Sequence, residues 1–288
     1  GGRMSEGRAS WLSYLDALRP DPGWHVDLAL VATYSADCVS VVAAMLALAG
    51  LDDDRGSGSK VDFANAFEQL KGRLHVVMQS SRLAVPRQRL PVLRLLDRFV
   101  VPVDADEREF SWHPKLALVR MTSADDKYPN WRLWIGSRNL TRDASLDTGL
   151  LLISTGESNG APLSGVAEVA RRLLVRAGRS PEDIATLTKE LARLNWASPA
   201  GVTPVEVRLS GPDDRRDWPA LPDDARELWV VSPFLDAGAV SRFAKAGRYD
   251  AQRYLVSTPG ELLRLSAQMG SAFSGYARLL SFESPPPE

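Results

Sequence analysis

The chain has 288 residues, 44% of them apolar and 25% charged, with a formal net charge of −1. These proportions exclude a disordered or low-complexity chain and give length for one large or two ordinary globular domains. The near-zero charge excludes a global attraction to polyanions, so any phosphate-binding site must be a local patch.

One cysteine, Cys38, rules out an internal disulfide and fits a reducing, cytoplasmic compartment; its place at a helix start predicts burial. No signal peptide or membrane-spanning apolar run is recognisable, and the residues before Met4 read as a cloning remnant. Ser10 to Arg19 has helical spacing and is ended by Pro20, Pro22 and Gly23. Val26 to Tyr34 is an apolar run of strand length, expected to be covered on both faces. Ala36 to Ala49 is an apolar helix closed by Gly50. Strand followed by buried helix is half of a βαβ unit.

Asp52 to Ser59 is acidic, then Gly/Ser-rich, and reads as a solvated loop rather than a metal site. Val61 to Lys71 is an amphipathic helix and Leu74 to Gln79 a second core strand, in which His75 is structural, as is His25 before the first strand. Ser80 to Phe99 is the most basic stretch, with Arg82, Arg87, Arg89, Arg94 and Arg98 against Asp97. It reads as a helix around Leu90 to Phe99 with a solvated face. Arg82, Arg87 and Arg89, with Arg138 further on, are also the candidates for nucleic-acid backbone contacts. Val100 to Val103 is a short strand.

The stretch from Glu109 to Ile153 carries the chemistry. It reads as a strand His113 to Met121, a turn Thr122 to Asn130, a strand Trp131 to Ile135, a polar loop and a strand Gly149 to Ile153. His113 and Lys115 stand two apart, so on one strand both side chains leave the same face. Ser137 and Asn139 repeat the spacing after the next strand. An imidazole, an ammonium, a hydroxyl and an amide brought together suit a phosphodiester: histidine attacks phosphorus or passes a proton, and the others hold phosphate oxygens. Gly136 has no Cβ, which lets a phosphate approach the backbone. Phe110, Trp112, Trp131 and Trp134 flank the motif, mostly as core, and an exposed one among them would stack a base.

His113-Pro114-Lys115 followed by Gly136-Ser137-Arg138-Asn139 resembles the half-motif of the phospholipase D superfamily, His-x-Lys, a spacer and Gly-Ser-x-Asn. The resemblance implies a metal-independent and cofactor-free site built from two half-motifs, one histidine forming a covalent phosphohistidine and the other protonating the leaving group. Carried over, His113 is nucleophile or acid, and Lys115, Ser137 and Asn139, with Gly136, bind phosphate. Asp147, just before Gly149, is in the place of the acid that orients the histidine. The family often carries an aspartate five residues after the lysine, and here that position is Arg120; tyrosyl-DNA phosphodiesterase-like members also lack it.

Val166 to Arg176 and Pro181 to Leu194 read as helices, the second capped by Ser180. Residues 196–225 are rich in Pro, Gly and Asp and read as a linker, with a strand at Pro204 to Leu209. Then Glu227 to Phe234, Asp236 to Ala246, Gln252 to Ser257 and the helix opened by the Thr258–Glu261 capping box repeat the earlier order of strand and helix. No histidine follows His113. The expected organisation is therefore an α/β, phospholipase D-like fold, a mixed central sheet flanked by helices: a complete repeat over 4–195 and part of a second over 226–288. The second half-site is expected from a missing C-terminal region or from a homodimer partner. The expected function is a phosphodiesterase, a nuclease or DNA end-processing enzyme of the kind used in bacterial restriction or phage defence, acting on DNA ahead of RNA and without membrane contact. The alternatives are a catalytically silent nucleic-acid-binding or scaffold module and a phospholipid hydrolase or transferase.

Overall fold

The run of apolar residues Leu28 to Ala32 lies buried at the middle of an eight-stranded mixed sheet. The computed structural model describes residues 14–52, 58–84, 93–108, 110–142, 147–155, 160–211, 221, 223–268, 270–271 and 273–281. The expected contacts from Arg87 and Arg89 lie outside the described residues. The chain divides into two units, 1–215 and 216–288. The first runs α1 (Tyr14–Leu18), β1 (Trp24–Thr33), β2 (Ala36–Asp37), α2 (Cys38–Ala49), α3 (Lys60–Leu70), β3 (Leu74–Gln79), β4 (Leu83–Ala84), α4 (Leu93–Leu96), β5 (Val100–Val103), β6 (Lys115–Ser123), β7 (Asn130–Gly136), β8 (Gly149–Thr155), β9 (Ala161–Pro162), α5 (Val166–Arg176), α6 (Pro181–Leu191) and β10 (Asn195–Ala197).

The order across the sheet is β5-β3-β1-β6-β7-β8-β10-β9. β1, β3 and β5 are parallel, whereas β1 and β6, β6 and β7, and β7 and β8 are antiparallel. Both faces are covered, which is why the middles of β1, Leu28 to Ala32, and β3, Val76 to Met78, are continuously apolar instead of alternating. On one face Ala29, Val31, Val119 and Met121 pack with Met45, Leu48 and Phe67 of α2 and α3. On the other, Leu30, Leu118, Leu133 and Leu152 pack with Leu173 and Leu191 of α5 and α6. Asp37 caps α2 by accepting from the backbone of Val39 and Ser40, and Gly50, at φ 65°, ends it. Ser59 and Asp62 form a capping box on α3.

Arg120 occupies the position where the phospholipase D pattern carries an aspartate, and its role here is structural. The pairing of β1 with β6 shifts register between Val26 and Leu28, so Asp27 is an extra, bulged residue. Its carboxylate meets Arg120 Nη1 at 2.5 Å, and Glu190 of α6 takes Arg120 Nε and Nη2, both at 3.0 Å. Glu190 also accepts from Trp131 Nε1, tying the fully buried indole to the same cluster. On the opposite face Trp134 lies across two glycines. A Cβ at Gly136 would sit 2.5 Å from the indole and from the Thr148 carbonyl oxygen, and one at Gly149 would sit 2.7 Å from the indole nitrogen. Tyr14 packs edge-on against the same ring at 4.4 Å.

Several expectations change. Residues 195–211, read as the start of a linker, belong to the first unit: β10 pairs with β8 and β9, and the strand expected at 204–209 is an isolated bridge from Ser164 to Glu206. Of the helix expected around Leu90 to Phe99, residues 90–92 lie outside the described residues, and the rest is the single turn of α4 followed by a hydrogen-bonded turn. Asp52 is not solvated; its side chain is 1% exposed and paired with Arg19. Cys38 is buried, as its position predicts.

The second unit is β11 (Glu227–Val231), α7 (Ala237–Phe243), β12 (Gln252–Ser257), α8 (Pro259–Gln268) and β13 (Arg278–Ser281), with the strands parallel in the order β11-β12-β13. That is the connectivity of β1, β3 and β5 with their crossover helices. The core is small: Leu235, Val240, Leu255 and Leu265 are its buried members. Only half of the expected Thr258–Glu261 box is built that way. Glu261 N donates to Thr258 Oγ1, while the Glu261 carboxylate accepts from Leu235 N and pairs with Arg264. No helix among the described residues is long and apolar enough to cross a membrane.

Arg120→Leu leaves two half-buried carboxylates without their cation and is expected to cost about 2 kcal/mol, read as a lower urea midpoint at unchanged slope. Gly136→Ala forces the indole of Trp134 to move and is expected to cost about 1–3 kcal/mol. Combining it with Trp134→Leu, which vacates that space, should make the two costs less than additive in a double-mutant cycle.

Candidate active site at one end of the sheet

Four strands end in step. Thr33 pairs with Lys115, and Gly136 pairs with Gly149, while the β6–β7 register places Leu116 opposite Ile135. The residues just beyond these positions therefore gather at one end of the sheet. Tyr34 follows β1, His113 precedes β6, Ser137 follows β7 and Asp147 precedes β8. The loops after β3 and β5 open at the same end, because those strands run parallel to β1.

His113 lies in the approach to β6, not on the strand, so it is not held by alternation of side chains. Its ring is nevertheless against Lys115: Nζ donates to His113 Nδ1 at 2.6 Å and to the His113 carbonyl oxygen at 3.3 Å. An ammonium only donates, so Nδ1 is the lone-pair nitrogen and the ring proton resides on Nε2. Partial burial, then the adjacent Lys115 charge, holds the His113 pKa below the usual histidine range. Burial likewise lowers the Lys115 pKa, with Asp147 opposing the shift.

The remaining members are more committed to each other than the sequence predicts. Ser137 Oγ donates to Asp147 Oδ1 at 2.8 Å and accepts from Thr148 N at 3.0 Å. Asp147 also pairs with Arg138 Nη1 at 2.8 Å, and Arg138 Nη2 donates to the Thr141 carbonyl at 3.1 Å. The contacts of Asp147 thus fasten the Gly136–Asn139 turn, and the orienting contacts of His113 come from Lys115 and from Tyr34. The ring of Tyr34 lies 4.1 Å from the imidazole, tilted by 36°. Gly136 does not provide room for a phosphate on its side-chain face, because Trp134 and Thr148 fill it. Asn139 is half-buried, and its Oδ1 is buried with no hydrogen-bond partner among the described residues. It is the member of the expected set whose amide oxygen is left to meet a donor.

Arg82 and Arg138, expected to contact nucleic acid, are both in ion pairs: Arg82 with Glu107 and Arg138 with Asp147. None of the flanking tryptophans is exposed; Trp112 and Trp131 are 0% and Trp134 is 6% exposed. This end of the sheet carries, beside Arg82, the residues Tyr34, Gln79 and Glu107, for which the motif gave no role. The signal was present: each lies at or just beyond the C-terminal end of a parallel strand, where α/β sheets build their sites. An open cavity of about 670 Å³ lies there, lined by Gln79, Ser80, Ser81, Arg82, Asp104, Ala105, Asp106 and Glu107. Ser81 has φ 63°, a left-handed conformation uncommon for serine. Among the described residues no group of three or more His, Cys, Asp or Glu side chains is arranged to hold a metal ion.

No protein-family model and no curated protein sequence matches the chain. Among solved structures, polyphosphate kinase from Porphyromonas gingivalis is similar at a TM-score of 0.42 and 14% identity, covering 92% of this chain. The chain spans 37% of the length of that protein.

Proposed function

We propose that the chain is a metal-independent phosphodiesterase, acting through a phosphohistidine at His113 on nucleic acid, as a nuclease or DNA end-processing enzyme. The observation that carries the reading is the contact of Lys115 Nζ with His113 Nδ1 at the exposed end of four converging strands. It pairs a neutral imidazole with a cation that has only donors to offer. A phosphodiester entering the site draws the ammonium onto its non-bridging oxygens and leaves a ring nitrogen in front of phosphorus. The N–P bond forms as the P–O bond to the leaving group breaks, and that oxygen departs with the electron pair. It takes its proton from a second imidazole. Water then attacks phosphorus, gives up its proton to that imidazole and releases His113.

The second imidazole belongs to a second half-site, supplied by a twofold partner or by further sequence. The open site suits a polymer, since His113 and Ser137 are exposed where a closed cavity would admit only a small ester. Restriction or defence against phage is the setting the motif resemblance suggests.

Labelled single- and double-stranded oligonucleotides incubated in EDTA are expected to be cleaved, and His113→Ala is expected to abolish turnover by at least three orders of magnitude, on the order of a lost nucleophile, with an unchanged unfolding transition. Cleavage by a folded His113→Ala chain sinks the mechanism. Salt-sensitive binding without product by the wild type would assign the chain to nucleic-acid binding instead.

The pH profile carries a sign. The nucleophile must be neutral, and the His113 pKa is lowered by burial and by Lys115. Activity is therefore expected to persist as pH falls through the ordinary histidine value of about 6.5 and to be lost only below it. Replacing Lys115 with Met removes one of the two causes and should move the acid limb of kcat/KM upward, toward that value.

A further inference from the structure

Glu107, in the loop after β5, joins the two supports of the His113 ring. Its Oε1 accepts from Tyr34 Oη at 3.0 Å, from Arg82 Nε at 2.8 Å and from Gln79 Nε2, and Arg82 Nη2 pairs with its other oxygen. Gln79 is 3% exposed, and its Oε1 accepts from Trp112 N at 2.8 Å. A backbone N–H only donates, so the amide must face Trp112 with its oxygen and Glu107 with its nitrogen. The carboxylate thus fixes the orientation of Gln79, and Gln79 fixes the backbone immediately before His113. The same carboxylate holds Tyr34 by its hydroxyl, with the ring 4.1 Å from the imidazole. Arg82 Cζ lies 5.1 Å from the centre of that ring, closing the cluster.

We propose that Glu107 is a positioning residue for His113, acting through the ring of Tyr34 and the carboxamide of Gln79. The proposal rests on the phosphoryl-transfer reading above for its catalytic consequence, and on the contacts alone for its structural one. The need for such a device follows from the fold. His113 stands outside β6, so no ladder hydrogen bonds restrain it, and a nucleophile must be held to a fraction of an ångström to gain from proximity. Lys115 restrains one ring nitrogen, but it must leave that nitrogen to bind phosphate. Tyr34 restrains the plane of the ring, and the bond from Trp112 N restrains its backbone. Neither of these needs to move during the reaction. The cation beside Glu107 keeps the carboxylate ionised, its pKa lying below the usual range chiefly through the Arg82 hydrogen bonds.

The experiment uses the full chain and the variants Tyr34→Leu, Tyr34→Phe and Glu107→Gln, with two readouts. Long-range proton–nitrogen NMR correlations report the tautomer and ring-current shift of His113, and bis(4-nitrophenyl) phosphate hydrolysis reports kcat and KM separately. In Tyr34→Leu the His113 ring protons should lose the shift that the tyrosine ring imposes, and Tyr34→Phe, which keeps the ring but removes the hydroxyl that Glu107 holds, should move those signals in the direction that Glu107→Gln moves them. In Glu107→Gln those signals should move, and the Trp112 amide should exchange faster with solvent. In Tyr34→Leu and Glu107→Gln, kcat should fall on the order of tenfold with KM within about twofold, the pattern of a misplaced reacting group; Tyr34→Phe, which cuts one of the two routes from Glu107, should lose part of that rate. The NMR spectrum itself shows whether each variant is folded. Unchanged His113 signals in both Tyr34→Leu and Glu107→Gln overturn the proposal, and signals that move while kcat holds overturn its catalytic part. A wild type that does not turn over the ester or cleave oligonucleotides, but whose His113 signals respond as stated, overturns the phosphodiesterase reading and leaves the positioning role standing.

Discussion

The antiparallel pairing of β1 with β6 is the constraint on which the arrangement depends. β1 belongs to a parallel βαβ array on one side and, through β6, to an antiparallel meander on the other. Because the two run in opposite directions, the C-terminal end of β1 meets the N-terminal end of β6. Loops that follow parallel strands and the loop that precedes β6 then open at the same place. Tyr34 meets His113 for this reason, although they are 79 positions apart in the sequence. The register is fixed from the far end as well. The bulge at Asp27 adds a residue to β1, and the bond from Asp27 to Arg120, itself bound by Glu190, fastens that irregularity to a helix. A slip of one residue would exchange Leu28 and Leu30 for the smaller Ala29 and Val31 on the face toward α5 and α6 and mismatch both cores.

The sheet end is supported by sterics from below and by hydrogen bonds from the sides. Trp134 spreads beneath the ends of β7 and β8 only because Gly136 and Gly149 leave space for it. Ser137, Asp147, Arg138 and the Thr148 backbone then bind the two strand ends to each other. Leu140 N donates to Thr33 Oγ1 at 3.1 Å and Asp37 N donates to Leu140 O at 3.0 Å, which carries the loop after Ser137 across to the start of α2. Half of the motif is thereby scaffold, and His113 and Lys115 sit on it.

Periodicity made most of the first unit legible. β3 and α5 occupy the positions their apolar patterns predict, and Ser180 caps α6 as expected. β9, β10 and β13 were not legible. Two of them are three residues or fewer, too short for an alternating pattern, and β13, RLLS, is short and exposed throughout. His113 and Lys115 were legible as a pair, but through the wrong geometry. The two-residue spacing implied a shared strand face, whereas the contact is made by a lysine reaching back from the first residue of β6. The roles of Ser137, Arg138, Asp147 and Gly136 could not be read from spacing, because each depends on which neighbour is nearest across strands. Glu107 and Tyr34 were legible only as residues beyond strand ends; their pairing spans 73 positions of sequence and could not be read.

Charge sets what this end of the sheet can hold. Glu107 and Arg82 form one pair and Asp147 and Arg138 another, so each acid that approaches the motif comes with its own cation. Lys115 is set against a neutral imidazole instead of a carboxylate. Its charge is the part of the cluster not matched by a direct ion pair among the described residues. Arg82, the first arginine after β3, therefore contributes order more than attraction. That division, with two ion pairs closed on themselves and one ammonium held by an imidazole, leaves a local positive charge on a chain whose net charge is −1.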